Sequence, residues 1–85
     1  MRRDCNMQAR GVIRAIVADS GMPMTHISRA IGRSHLFVAR YISRAVPPGT
    51  ELLAEICEAT GHQLIVRNKR TGYEIVIDPP KRGDG

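Results

Sequence analysis

The chain has 85 residues, of which 13 are Lys or Arg and 8 are Asp or Glu, so its formal net charge is +5. A chain of this length forms one domain with a modest core and no cleft between domains, so we expect no enzymatic activity. The basic excess favours an acidic partner, most commonly nucleic acid. Aromatic residues make up only 4% of the chain and Trp is absent, which favours duplex DNA over partners that stack single-stranded bases.

The two cysteines, Cys5 and Cys57, form no Cys-x-x-Cys unit. This spacing predicts neither a disulfide framework nor a zinc module, and the pair Cys57 and His62 has no second ligand pair nearby. The basic start of the chain is followed by no continuous apolar run, so we expect neither a signal peptide nor a membrane span. The prediction is a cytoplasmic protein without metal or cofactor.

The first predicted helix covers about residues 4–20. Its apolar residues recur every three or four positions, which is typical of an amphipathic helix, while Arg10 and Arg14 lie on the opposite face. Ser20 and Gly21 end this helix, and Pro23 suits the first turn of the next one. The apolar residues are Ala9, Val12, Ile13, Ile16 and Val17.

Residues 24–43 predict two short helices that meet at a tight turn, a helix-turn-helix. The second helix covers residues 23–31 and the third covers residues 35–45. Gly32 suits the left-handed conformation that ends a helix, and the Ser34 side chain can cap the next. Apolar residues at helical spacing form the inner face of this corner: Ile27, Ile31, Val38, Tyr41 and Ile42.

The outer face of the same stretch is cationic, because no Asp or Glu occurs between Asp19 and Glu51. A polyanion partner needs such a surface. We predict base contacts from His35, Leu36 and Arg40, since Arg binds guanine edges, Leu touches the thymine methyl and imidazole pairs with purine edges. Predicted phosphate contacts are Thr25, Arg29, Arg33, Ser43 and Arg44.

Two alternatives stay open for these side chains. Each cationic or polar residue could be an ordinary solvated side chain that keeps a small domain in solution. Leu36 could be buried against the fourth helix rather than exposed.

The pattern Ile27-Ser28-x-x-x-Gly32-x-Ser34, followed by Val38 and Tyr41, resembles the helix-turn-helix of the lambda-repressor-like, or XRE-type, DNA-binding proteins. The resemblance covers residues 9 to about 61 and implies a bacterial or phage origin. It implies that Ser34, His35, Leu36 and Arg40 occupy recognition positions, with Ser34 near a phosphate, and that Met24 and Thr25 contact phosphates. The chain departs from the family at Arg33, where a small apolar residue is frequent, and at Met24, where Gln is frequent.

A fourth helix is predicted from Thr50, as its cap, to about Thr60, and Gly61 ends it. Its apolar face consists of Leu52, Leu53, Ile56, Cys57 and Ala59. Its other face carries Glu51, Glu55 and Glu58, and we expect this acidic face to be solvated and to point away from DNA.

Two β-branched runs, residues 62–67 and 73–78, are joined by a short loop that contains Gly72, which predicts a β-hairpin. Both faces of the hairpin are apolar, and an isolated hairpin is marginally stable, so we predict a homodimer formed through it. The predicted interface residues are Leu64, Ile65, Val66, Tyr73, Ile75, Val76 and Ile77.

The sequence therefore predicts a mainly α protein, a four-helix lambda-repressor-like domain with a C-terminal β-hairpin. Residues 1–61 form the helical DNA-binding part, residues 62–79 the hairpin, and residues 80–85 a disordered tail. The predicted function is sequence-specific binding of double-stranded DNA by a transcriptional regulator, most simply a repressor. The alternatives are an antitoxin-like regulator that also binds a toxin protein, and a non-specific nucleic-acid-binding protein.

Overall fold

The computed structural model describes residues 6–80. Helices α1 (Val12–Ser20), α2 (Met24–Ala30), α3 (Phe37–Arg44) and α4 (Thr50–Thr60) are followed by strands β1 (Leu64–Arg67) and β2 (Glu74–Ile77), and a short 3-10 helix, Ala9–Gly11, precedes α1. The predicted mainly helical fold with a C-terminal hairpin is confirmed. The predicted start of the first helix is wrong, because residues 6–8 are irregular and residues 9–11 form the 3-10 helix, so that α1 begins only at Val12. Residue 4 itself and, apart from Pro80, the predicted tail at residues 80–85 lie outside the described residues.

The core lies between the four helices, because α1 packs on α4 and α2 contacts both α3 and α4. The predicted inner residues Ile27, Ile31 and Val38 are buried, and Tyr41 and Ile42 are half-buried. Ala9 was expected on the apolar face of the first helix, but it lies exposed in the 3-10 helix. The buried apolar residues are Ile13, Ile16, Ile27, Ile31, Val38, Ala54, Ile56 and Cys57.

The turn between α2 and α3 forms as predicted at its first residue and differs at its end. Gly32 has a φ of 78°, a left-handed conformation that glycine adopts without strain. The backbone N–H of the next residue, Arg33, donates to the carbonyl of Ser28 at 2.9 Å and closes the end of α2.

The predicted side-chain caps of α3 and α4 are wrong. Helix α3 begins at Phe37, two residues later than expected, because residues 34–36 form a further turn in which the Phe37 N–H donates to the backbone carbonyl of Ser34 at 3.0 Å. Leu36 therefore occupies the N-cap position of α3, and no side chain caps the helix. Thr50 is the first residue within α4, and Gly49 occupies that helix's N-cap position.

Ser28 joins α2 to α3 through its buried hydroxyl. Its Oγ accepts the backbone N–H of Val38 at 3.0 Å and donates to the carbonyl of Met24 at 2.9 Å. The Val38 N–H lies in the first turn of α3, where a helix offers no carbonyl to accept it. Ser28 is fully buried, so this hydroxyl supplies the partner that water cannot provide.

The β-hairpin is attached to the helices through β1. Leu64 packs against the core, and the His62 backbone N–H donates to the carbonyl of Cys57 at 2.8 Å. The His62 ring lies between the Thr60 hydroxyl, at 2.9 Å, and the Asp19 carboxylate, at 2.8 Å. These contacts fix the end of α4 and the start of β1 against the end of α1.

The two strands are antiparallel, with Ile65 opposite Val76 and Val66 opposite Ile75. In the loop, the Asn68 side chain accepts the backbone N–H groups of Arg70 and Thr71, at 2.9 and 3.2 Å. The loop ends at Gly72, whose φ is 82°. The hairpin predicted from the two β-branched runs is thus confirmed, with strands of four residues each.

We predict that Ser28→Ala lowers the free energy of unfolding by about 1–3 kcal/mol, because it leaves the buried Val38 N–H without a partner. Urea unfolding of the full chain measures this change. Ser43→Ala is the matched control, since Ser43 is exposed on α3 and its loss should change the stability by less than about 0.5 kcal/mol. Equal effects of the two substitutions would show that the Ser28 hydroxyl does not hold α3.

Candidate nucleic-acid interface

Helix α3 turns one side to the core and leaves the opposite side open. Val38 is buried on the inner side. On the outer side, a shallow groove of about 320 Å³ is lined by Leu36, Ala39, Arg40, Ser43 and Arg44. The structure therefore brings together four of the predicted contact residues, together with Ala39, whose small side chain leaves the groove open.

Leu36 is 40% exposed, so the alternative in which it is buried against α4 is wrong. Its apolar side chain shares the groove with two guanidinium groups, those of Arg40 and Arg44. A groove of this kind combines hydrogen-bond donors with an apolar contact, the two types of group that read base edges.

Arg33 lies in the turn that precedes α3, and its guanidinium packs on an aromatic ring. Its Cζ atom lies 4.6 Å from the centroid of the Phe37 ring, a distance typical of a cation–π contact. The Phe37 ring in turn contacts the Tyr41 ring, with centroids 5.6 Å apart. The guanidinium is thus oriented beside α3 while its donors stay exposed.

The remaining predicted residues are exposed but fall in different places. His35 and Ser34 lie in the turn before α3, and Thr25 lies in the first turn of α2. None of these three lines the groove on α3.

Arg29 is the residue that the structure separates most clearly from the others. It lines a different depression, of about 430 Å³, whose wall includes Glu55 and Glu58 of α4 and the two prolines that follow β2. The surroundings of Arg29 therefore include the acidic side chains that the α3 groove lacks.

The stretch without acidic residues forms α2, α3 and the turn between them. No acidic residue lines the α3 groove, and none occurs in α2, in α3 or in the turn that joins them. The three glutamates of α4 belong to a helix that contacts α1 and α2. A phosphate backbone lying along α3 would thus meet arginines without a neighbouring carboxylate on that helix.

Other kinds of site receive no support within residues 6–80. No three His, Cys, Asp or Glu side chains there are arranged to hold a metal ion. Burial raises the pKa of the Cys57 thiol, which disfavours the thiolate that a nucleophile or a metal ligand requires. The helices in this part of the chain are all too short or too polar to span a bilayer.

Two residues that shape this surface were not predicted from the sequence. In the sequence Ser28 is only part of the helix-turn-helix pattern, whereas in the structure its hydroxyl accepts the Val38 N–H of α3. Phe37 was not assigned to the site, but its ring positions Arg33. The four-residue spacing of Arg33 and Phe37 is typical of contacting pairs on a helix, but Arg33 lies in the turn before α3, so this spacing alone does not predict the contact.

Comparison with protein-family models, curated proteins and solved structures finds no match to this chain. The fold defines a small, mainly helical domain with a two-stranded antiparallel sheet.

We predict that Arg33 and Phe37 are energetically coupled by about 0.5–1 kcal/mol, the range of an exposed cation–π contact. The measurement is a double-mutant cycle on unfolding stability with Arg33→Ala, Phe37→Leu and the double variant. Leucine keeps an apolar side chain at position 37 but removes the ring face. Strictly additive effects would mean that the ring does not hold the guanidinium.

Proposed function

We propose that the protein binds double-stranded DNA sequence-specifically, with α2 and α3 acting as a helix-turn-helix and α3 as the recognition helix. The observation that carries this proposal is the open groove on α3, in which Leu36, Arg40, Ser43 and Arg44 lie together on a surface without acidic residues. The resemblance of residues 9–61 to lambda-repressor-like proteins agrees with it.

The dimensions of α3 suit the major groove. Eight residues of α-helix are about 12 Å long, and a helix about 10–12 Å across fits the major groove, which is about 12 Å wide. Leu36 and Arg40 are one turn apart and would face the bases. Arg33 lies in the turn before α3, and Ser43 and Arg44 lie in its last turn. These are the two ends at which the phosphate backbones would pass.

The simplest biological role is transcriptional regulation by occupancy, most directly repression. The four helices of the described residues share one core. In this role, binding itself would block or recruit the transcription machinery. In this proposal the protein acts in the cytoplasm, on the DNA of a bacterium or phage.

The test is selection of binding sites from random duplex DNA by the full chain, followed by affinity measurements on the enriched site at several salt concentrations. We expect a defined sequence to be enriched. Arg40→Ala should weaken binding to it by about 1–3 kcal/mol and relax the preference at one position of each half-site.

Arg44→Ala should weaken binding about equally on all sequences and reduce the salt dependence by the equivalent of about one phosphate contact. Arg67→Ala is the matched control, since it removes the same charge from an exposed position on the hairpin. If no sequence is enriched but DNA is still bound, the protein is a non-specific nucleic-acid binder. If Arg40→Ala behaves like Arg67→Ala, α3 is not the recognition helix.

A further inference from the structure

We propose that two copies of this chain pair through the free edge of β2, antiparallel and centred on Ile75, so that two hairpins form one four-stranded sheet. The observations that support this pairing are the exposure, the backbone hydrogen bonds and the attachment of the hairpin. Only one consequence, that the two α3 helices would be related by a two-fold axis, rests on the proposed function.

The hairpin exposes several large apolar side chains to solvent. Tyr73 is 67% exposed, Val66 53% and Ile75 50% on one face, and Val76 is 45% exposed on the other. Of the eight strand residues only Leu64 and Ile77 are even partly buried. A two-stranded sheet is marginally stable by itself, and additional strands are the usual remedy.

Within the described residues neither strand has a further strand at its outer edge, and we assign the pairing to the edge of β2. Strand β1 is the one that packs on α4, and its start is held by the contacts of His62 with Thr60 and Asp19. Strand β2 is the outer strand of the hairpin, and its second edge has no strand beside it within the described residues.

The hydrogen bonds at the loop show which groups point to that edge. The Asn68 N–H donates to the Tyr73 carbonyl at 2.8 Å. In an antiparallel ladder, residues that bond across the pair alternate with residues whose N–H and C=O groups point outward. Ile75 and Ile77 therefore bond to β1, whereas Glu74 and Val76 present their backbone groups at the free edge of β2.

Only one two-fold register suits this edge. With Ile75 opposite Ile75 of the second copy, Glu74 faces Val76 and exchanges both backbone hydrogen bonds with it, and Tyr73 faces Ile77. Moving the centre to Val76 places Glu74 opposite Asp78, and moving it to Glu74 places two glutamates opposite each other. Like charges at directly opposed positions are destabilising. The strand is thus self-complementary in a single register, which favours a second copy of this chain over a different protein.

The pairing also joins the exposed apolar residues of both copies on one face of the sheet. Residues that lie opposite each other in neighbouring strands point to the same face of a sheet. In this register, Val66, Tyr73 and Ile75 of both chains therefore lie on one face. Ile75 and its counterpart would form a non-hydrogen-bonded pair with Cα atoms about 4.5 Å apart. Side chains approach most closely in such pairs, and these two would shield each other from water.

Sedimentation of the full chain, without DNA, tests the proposal. The wild type should have twice the monomer mass of 9.4 kDa. Val76→Pro removes only an outward N–H, so the hairpin should stay intact while the dimer dissociation constant rises about tenfold or more. Ile65→Pro is the matched control, because it removes the equivalent outward N–H from β1 and should leave the dimer unchanged. Circular dichroism checks that both variants keep the fold.

Introduced cysteines test the register. Ile75→Cys should form a disulfide between copies under mild oxidation, since the expected Cα separation is within the range of disulfides. Val66→Cys, on the same face but on β1, should cross-link no more than the wild type.

A wild-type monomer at all concentrations would overturn the proposal and leave the β2 edge open to a strand of another protein. Loss of the dimer in Ile65→Pro but not in Val76→Pro would overturn the choice of edge. Cross-linking at Val66 and not at Ile75 would overturn the register. Since no DNA is present, none of these outcomes depends on the proposed function.

Discussion

The hydrogen bond from the Val38 N–H to the Ser28 hydroxyl is the interaction on which the proposed binding surface depends. It joins α2 and α3 at a fully buried position, where an unpaired N–H would be costly. The buried Val38 side chain then fixes the rotation of α3 about its own axis. The same rotation turns Leu36, Arg40 and Ser43 to the outside. Core packing and surface chemistry are therefore two consequences of one orientation, so a change that rotates α3 would disturb both.

The helical part and the hairpin differ in how much of their apolar surface is buried. The helices enclose a core of isoleucine, valine and one cysteine, whereas the hairpin leaves most of its aliphatic residues in solvent. The hairpin is nevertheless held firmly at its base by Leu64 and His62. An element with a fixed base and an exposed apolar strand is suited to association. Pairing of two copies would give the proposed DNA-binding surface the symmetry of a palindromic site.

Much of the fold could be predicted from the sequence because its signals are local. The spacing of Ile27, Ile31 and Val38 indicated the inner face, and the glycines at positions 32 and 61 marked the helix ends. The predicted start of α3 was wrong by two residues. Ser34 is a residue type that often caps helices, but it lies in an additional turn before α3. The relation of Arg29 to the glutamates of α4 was also beyond the sequence, since it arises from the packing of two helices 20 or more residues apart along the chain. For the candidate site, the sequence predicted which residues share the face of α3, but it did not predict the Ser28 and Phe37 contacts that position them.

The most direct test of the account is a ¹⁵N–¹H correlation spectrum of the full chain, recorded during titration with a random-sequence DNA duplex at low salt. Non-specific binding uses the same electrostatic surface as specific binding, so no operator is needed. We predict that the largest shift changes fall on the amides of residues 33–44, and that the amides of α4 change little. Largest changes at the hairpin loop, or no changes at all, would contradict the assignment of α3 as the DNA-binding helix.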